Sequence, residues 1–225
     1  MVKNENRDLF SQYFPVWEHM SEAEHAAMLD NTTQMHYKKG EGIHRGENDC
    51  VGVLLIKRGM LRTYMLSEEG KEITLYRMGR GDLCILSASC VLSTITFDVY
   101  IDAEEDSEVL LIGSPFFTKL AERNIYVECF SYKQATERFS DVMWAMQQIL
   151  FMSMDKRLAI FLWDELSKSE GDMIHLTHEQ IAKYMGSARE VVTRMFKYFA
   201  AEGIVELSRG GIRIINRKKL RSLTQ

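Results

Sequence analysis

Arg189, Glu190 and Arg194 stand within the segment Ser187-Ala-Arg-Glu-Val-Val-Thr-Arg194. An arginine guanidinium donates two parallel hydrogen bonds to guanine O6 and N7, and a glutamate carboxylate accepts from the cytosine N4 amine. At helical spacing all three point away from Val191 and Val192, so one polar face is equipped to read base edges in a DNA groove. Lys197, two turns beyond Glu190, carries a point charge suited to phosphate. Arg209, in the later Arg209-Gly210-Gly211 turn, is a second cation of that kind.

The neighbouring residues set how such a face is held. Thr177 precedes Gln180 by three residues, the spacing of a capping box that opens a short helix. Ile181, Ala182 and Met185 give that helix an apolar side, and Gly186 stops it. Ser187, with Glu190 three residues on, reads as the N-cap of a second helix whose Val191, Val192, Met195 and Phe199 turn inward. Two short helices joined through glycine, the second presenting Arg and Glu near its start, form a helix-turn-helix. The competing reading is a packed helix pair with a solvated charged face.

Charge is distributed to match. The formal net charge is −4, yet from Asp155 onward there are 13 Lys+Arg against 9 Asp+Glu, whereas the preceding residues hold 15 against 23. From Lys183 onward the count is 10 basic to 3 acidic. Only the C-terminal part is equipped to meet a polyanion. The first residues lack the apolar run of a signal peptide, and Val51 to Ile56 is far short of a membrane span. Cys50, Cys84, Cys90 and Cys129 are scattered rather than dense, so the expectation is a cytoplasmic protein without a disulfide scaffold.

Earlier in the chain, Leu9 to about Leu29 is helical in pattern, with a second start at Ser21. Short β-branched and aliphatic segments then alternate with glycines: Val51 to Ile56, Leu61 to Leu66, Ile73 to Met78, Thr94 to Asp102 and Val109 to Ile112. Seven or eight short strands in about 80 residues predict an antiparallel jelly roll. Ser114 and Pro115 open helical sequence, with Ser114 as N-cap. After Asn124 a long helix runs to about Ser153, and Tyr132, Ala135, Phe139, Val142, Met146 and Ile149 recur along it at alternating spacings of three and four. That heptad seam requires a partner helix and reads as a two-fold dimer contact. A core-facing helix in a monomer is the simpler alternative. Met143, Trp144 and Leu150 supply a second face that could pack on the roll. Asp155 is expected to cap the next helix. Two short strands, Ile204 to Leu207 and Ile212 to Ile215, form a basic wing.

The resulting fold class is α+β: a jelly-roll sensor domain with flanking helices (1–123), a long dimerisation helix (124–153) and a winged helix-turn-helix (154–225). This order resembles the bacterial cyclic-AMP receptor/fumarate–nitrate reductase regulator (Crp/Fnr) family of transcription factors over nearly the whole chain. The likeness is strongest from Leu176 to Lys197, and is carried also by Lys39-Gly40-Glu41, Gly46-Glu47, Gly59 and Gly81-Asp82. It implies a homodimer on a palindromic operator, with RNA polymerase as a further partner. It also implies base contacts from Arg189, Glu190 and Arg194 and phosphate contacts from Thr177 and His178, with Ser187 at the start of the second helix among the backbone contacts. By the same resemblance the half-site is TGTGA-like.

The sensor segment departs from that family. Cyclic-nucleotide binders of this fold carry an Arg-Ser pair after Gly-Glu. Here Gly81, Asp82, Leu83, Cys84 and, further on, Ser93 line the corresponding stretch, and no Lys or Arg occurs from Gly81 to Thr118. A buried phosphate without a cation would carry a desolvation penalty of several kcal/mol. Cyclic AMP is therefore disfavoured. Ser87, Ser89, Ser93 and Thr96 in an apolar setting suit a neutral or weakly polar effector, unless Leu, Val and Ile simply fill the space. The first 49 residues hold no cysteine, against an iron–sulfur cluster, and no spacing singles out His19, His36 or His44 as a haem ligand. Cys84 and Cys90 could form a redox pair. The roll offers no His-x-His pair for a metal-dependent enzyme, and no catalytic motif is present. The expectation is a regulator rather than an enzyme, with no metal site. An effector-binding regulatory subunit that does not touch DNA is the remaining alternative.

Overall fold

The computed structural model describes residues 2–46, 51–85, 99–169 and 171–225. Packing divides the chain into two units, one of residues 1–65 and 75–142 and the other of 66–74 and 143–225.

The first unit opens with α1 (Val2–Tyr13), a single 3-10 turn (Trp17–His19) and α2 (Glu22–Asp30). Ser21 caps α2 as its spacing predicts: its hydroxyl accepts from Glu24 N while the Glu24 carboxylate accepts from Ser21 N. Eight strands follow among the described residues: β1 (Thr32–Tyr37), β2 (Gly42–Arg45), β3 (Val53–Arg58), β4 (Leu61–Leu66), β5 (Glu72–Met78), β6 (Leu83–Cys84), β7 (Tyr100–Ala103) and β8 (Ser107–Ile112), of which Leu66 and the first residues of β5, to Thr74, fall in the second unit. They pair in two four-stranded sheets, β1-β8-β3-β6 and β2-β7-β4-β5, with every recorded pairing antiparallel. This is the expected jelly roll. Most of the expected strand from Thr94 lies outside the described residues, and β1 and β2 lacked a sequence signal strong enough to mark them.

The period of two explains why β3 reads as a continuous apolar run. Val53 and Leu55 face the helices, joining Phe10, Phe14, Trp17, Met28 and Phe117, whereas Leu54 and Ile56 face the roll interior with Leu61, Met78 and Ile101. Both sides of the strand are covered, so neither needs a polar residue. Phe10 stacks on Trp17 with centroids 5.6 Å apart, and Phe14 meets Phe130 edge-on at 5.1 Å.

Next come α3 (Ser114–Arg123) and α4 (Ile125–Phe151). Gly113 rather than Ser114 is the N-cap of α3, because Pro115 fits the first turn with Ser114 already helical. Asn124 starts α4: its side-chain oxygen accepts from Tyr126 N and Val127 N. Along α4, Tyr132, Phe139, Met146 and Ile149 are exposed, Phe139 to 62%. Val142 is half-buried, and Ala135 packs against the helix-and-sheet core instead of standing in the apolar seam. Met143, Trp144 and Leu150, the second face, are exposed as well.

The second unit contains α5 (Met154–Lys168), β9 (Met173–Ile174), α6 (His178–Met185), α7 (Arg189–Ala201), β10 (Val205–Ser208), β11 (Gly211–Ile214) and α8 (Arg217–Ser222). Ser153, not Asp155, is the N-cap of α5. Asp155 sits inside the first turn, where a hydrogen bond from Ser153 holds its carboxyl below the usual range. The wing has a third strand, in the order β10-β11-β9. Leu158 and Leu162 of α5, Ile181 and Met185 of α6, and Val192, Phe196 and Phe199 of α7 form one core with Ile174, Ile212 and Leu220. Because Phe196 is fully buried at its centre, Phe196→Ala is expected to destabilise this unit by about 3–5 kcal/mol. Denaturant titration of wild type and variant measures that difference, and a loss below about 1 kcal/mol would contradict this packing.

Candidate nucleic-acid interface

The polar face of α7 follows from its apolar one. With Val192, Phe196 and Phe199 in the core, Arg189, Glu190, Arg194 and Lys197 are all exposed. The turn before α7 is built by Gly186, whose left-handed backbone (φ +57°, ψ +41°) ends α6. Ser187 does not cap α7. Its N–H donates to Ala182 O at 2.9 Å, closing the end of α6, and Ala188 takes the N-cap position with no side-chain bond. The first N–H groups of α7 thus receive no side-chain cap from Ala188. Arg157 steadies the same turn by donating to the Met185 carbonyl; burial lowers its pKa.

Thr177 is occupied within the fold. Its hydroxyl accepts from Gln180 N at 3.2 Å and donates to Gln180 Oε1 at 3.0 Å, completing the expected capping box. Its N–H donates to the same Gln180 oxygen. His178 stacks on Phe196 with centroids 4.7 Å apart, and its Nδ1 lies 3.1 Å from Thr193 Oγ1. A groove of about 260 Å3 runs between this corner and the wing, lined by His175, Thr177, His178, Ser208, Arg209 and Gly210 among others. His175 Nδ1 ties the wing turn to it through Gly210 O at 2.8 Å. Arg209 is therefore brought beside Thr177 and His178, which no sequence spacing shows.

Ion pairing sorts the basic residues of this unit. Lys183 pairs with Glu72, Arg213 with Glu206, Arg217 with Asp172 and Lys219 with Glu202. Among the described residues Arg189, Arg194, Lys197 and Arg209 have no ion-pair partner in the fold. The outward face of α7 and the wing therefore carry unneutralised charge, as do Lys218 and Arg221 of α8.

The predicted effector residues separate. Asp82 is exposed, and its carboxylate accepts from Gly79 N at 2.8 Å, closing a turn instead of facing the roll interior. Gly81, at φ +88°, lies where a side chain would strike Tyr13. Leu83 faces the helices and Cys84 the roll interior, because adjacent strand residues point to opposite sides. Of the four, only Cys84 lines the inside. Ser87, Ser89, Cys90, Ser93 and Thr96 lie outside the described residues, as does Cys50.

Sequence reasoning missed a set of polar groups inside the first unit. Arg62 is buried and makes a two-pronged contact with Asp102, Nε to Oδ1 at 3.2 Å and Nη2 to Oδ2 at 2.8 Å, with its guanidinium 4.1 Å from the Tyr64 ring centre. Thr63 and Tyr76 are buried on the inner side of β4 and β5, and Arg138 of α4 covers the Tyr76 ring at 4.9 Å. The available signal was alternation: Thr63 follows Leu61 by two residues, and Tyr76 precedes Met78 by two.

Comparison with known proteins agrees with this architecture. Residues 34–124 match the cyclic nucleotide-binding domain family and residues 156–223 the Crp-like helix-turn-helix domain family. The solved structure of a Crp/Fnr-family transcriptional regulator from Eubacterium rectale is 45% identical, covers 95% of this chain and 99% of its own, and superposes with a TM-score of 0.90. The transcriptional regulator flp of Lacticaseibacillus casei is 25% identical over 207 residues, covering 90% of this chain and 92% of flp. The cyclic AMP receptor protein of Thermus thermophilus is 24% identical over 178 residues, covering 79% and 82% respectively.

His178 gives this corner a pH dependence. Burial, and then the nearby charge of Arg189, lower its pKa from the ordinary histidine value. The neutral ring is thus the folded form, while the unfolded chain takes up a proton at about pH 6.5. The His178 contribution is fully present above that pH and is lost as pH falls through the lower folded value. Thermal melting of the second unit from about pH 7.5 to pH 5 should show this acid-side loss in wild type. His178→Gln should flatten that window, and an unchanged slope would sink the assignment.

Proposed function

This chain belongs to the Crp/Fnr family of transcription regulators, and from that premise we propose that it binds an inverted-repeat operator as a homodimer under the control of a small effector in the β-roll. It is a regulator and not an enzyme, with a helix-turn-helix for DNA and a roll of the cyclic nucleotide-binding fold. The observation that carries the finer reading is the outward face of α7, where Arg189, Glu190 and Arg194 stand exposed and Arg189, Arg194 and Lys197 lack an ion-pair partner. Arg189 and Arg194 donate to guanines, and Glu190 accepts from a cytosine on the opposite strand. Lys197 and Arg209 take phosphates. His178, and the backbone around Thr177 and Ser187, lie close enough to the same corner to add backbone contacts.

The α4 helix is the dimer contact in this reading. Tyr132, Phe139, Met146 and Ile149 leave large apolar side chains in water in the single chain, an arrangement that a second copy would cover. Val142 adds to this stripe, and Ala135 borders it. Cyclic AMP is disfavoured as that effector, since the Gly81 to Thr118 stretch offers no cation for a phosphate. Cys84 is buried among apolar side chains and behaves as a small hydrophobe rather than a redox partner. No helix among the described residues is long and apolar enough to cross a membrane. Work in the cytoplasm alongside RNA polymerase is part of the proposal.

Two experiments test this reading. Phe139→Lys or Met146→Lys should yield monomers by sedimentation and abolish tight operator binding; a wild-type chain that stays monomeric at micromolar concentration overturns the dimer. Selection from a random DNA pool should recover an inverted repeat, TGTGA-like in each half, with half-sites about one helical turn apart. Arg189→Ala should then lose roughly 1–3 kcal/mol and relax one base pair, whereas Lys197→Ala weakens all sequences evenly and lowers the salt slope by about one. A palindrome insensitive to Arg189→Ala would refute the residue roles and keep the architecture.

A further inference from the structure

The wing turn, Ser208-Arg209-Gly210-Gly211, carries two consecutive glycines, which give up more backbone freedom on ordering than any other residue. Three contacts hold it. Gly211, at φ +139°, lies where a side chain would come within 2.3 Å of the Ile174 carbonyl oxygen, so β11 approaches β9 as only glycine allows. Ser208 Oγ donates to Gly211 O at 3.1 Å, inside the turn. His175, the first residue after β9, reaches Gly210 O from outside the turn, with Nδ1 at 2.8 Å. A carbonyl oxygen only accepts, so Nδ1 carries the proton. The bond is therefore kept whether or not Nε2 is protonated. The first two contacts lie within the wing, whereas the third ties it to the segment that opens α6, two residues before the N-cap Thr177.

What this third contact holds in place is Arg209. Without an ion-pair partner among the described residues, Arg209 lines the groove of about 260 Å3 together with Thr177 and His178. A long cation on an unrestrained Gly-Gly turn must be ordered at the moment it meets a phosphate, and that ordering counts against affinity. A turn ordered beforehand avoids the loss. We infer that His175 is a positioning residue for DNA binding: by donating Nδ1–H to the Gly210 carbonyl, it latches the wing turn to the helix-turn-helix corner and holds Arg209 ready for a backbone phosphate. His175 acts through Arg209 rather than on the DNA. One solvent-exposed hydrogen bond adds little to a unit whose core is built on Val192, Phe196 and Phe199. Losing it should therefore move DNA affinity and leave the melting temperature in place. The inference rests on the reading that this unit binds DNA, and it adds to that reading a residue that touches no base and carries no fixed charge.

Fluorescence anisotropy of the full-length protein tests it, with two duplexes as probes: mixed-sequence DNA at low salt, and DNA carrying an inverted TGTGA repeat. Arg209→Ala should weaken binding to both, since a phosphate contact is blind to sequence. His175→Ala should weaken both by about two- to tenfold, the worth of one hydrogen bond, and should cause no further loss once Arg209 is alanine. His175→Asn, whose amide can place an N–H where Nδ1 stands, should recover most of the affinity. Nitrogen-15 NMR of the free protein should find the His175 proton on Nδ1, a signature that does not depend on any variant folding. No loss from His175→Ala, the same loss with or without Arg209, no recovery with asparagine, or a neutral ring protonated on Nε2 would each overturn the latch and leave the DNA reading intact. Arg209→Ala binding both duplexes like wild type would remove the wing contact, and the role of His175 with it. Wild-type protein that binds neither duplex would overturn the DNA reading itself.

Discussion

Val192, Phe196 and Phe199 are fully buried, and that one apolar stripe determines where α7 can present charge. A helix repeats every 3.6 residues, so fixing those three side chains against α5, α6 and the wing leaves Arg189, Glu190, Arg194 and Lys197 no direction except outward. The capping box at Thr177 and the left-handed Gly186 set where α6 ends and how α7 begins. The charged outward face of α7 thus inherits its geometry from the apolar core beneath it. A change at Phe196 would disturb the proposed reading without altering any of the proposed base-contacting side chains.

Much of this was legible in the sequence because the signals are local. The Ser21-to-Glu24 and Thr177-to-Gln180 pairs are capping boxes at fixed spacing, and the structure forms both. Where the readings differ, neighbours competed for one role. Ser187 looks like an N-cap from its type, but its N–H is required to close α6, which moves the cap to Ala188. Ser114 loses the cap position to Gly113 and Asp155 to Ser153 by similar one- or two-residue margins, the usual uncertainty at helix ends.

The sensor side was harder to read for a different reason. Gly81, Asp82, Leu83 and Cys84 correspond by resemblance to one cassette of the family, but a strand sends adjacent side chains to opposite faces. Leu83 joins the helix-facing core and Cys84 the roll interior, while Asp82 closes a turn. Conversely, Thr63, Tyr76 and Arg138 are far apart in the chain, and only the fold places them together. Long-range juxtaposition of this kind leaves no spacing to detect. The charge argument against a nucleotide is confined to the segment from Gly81 to Thr118, and no sequence spacing tells which cations of other elements the fold brings near it.

That helix also joins the two proposed activities of the chain. Arg138 and Phe139 are consecutive residues of α4, about 100° apart around its axis. Arg138 turns toward the Tyr76 ring and Phe139 toward solvent. Arg138 pairs with Asp141 one turn along, and Asp141 immediately precedes Val142. The Arg138–Asp141 pair and the exposed side chain of Phe139 therefore sit on neighbouring residues of one helix. A small rotation of α4 that improves contact on the inner side must move the seam on the outer side. On the proposed reading, ligand and partner helix bias the same coordinate, and by linkage each must then change the affinity for the other by the same factor. Such coupling requires no long chain of contacts, because the two faces share a backbone.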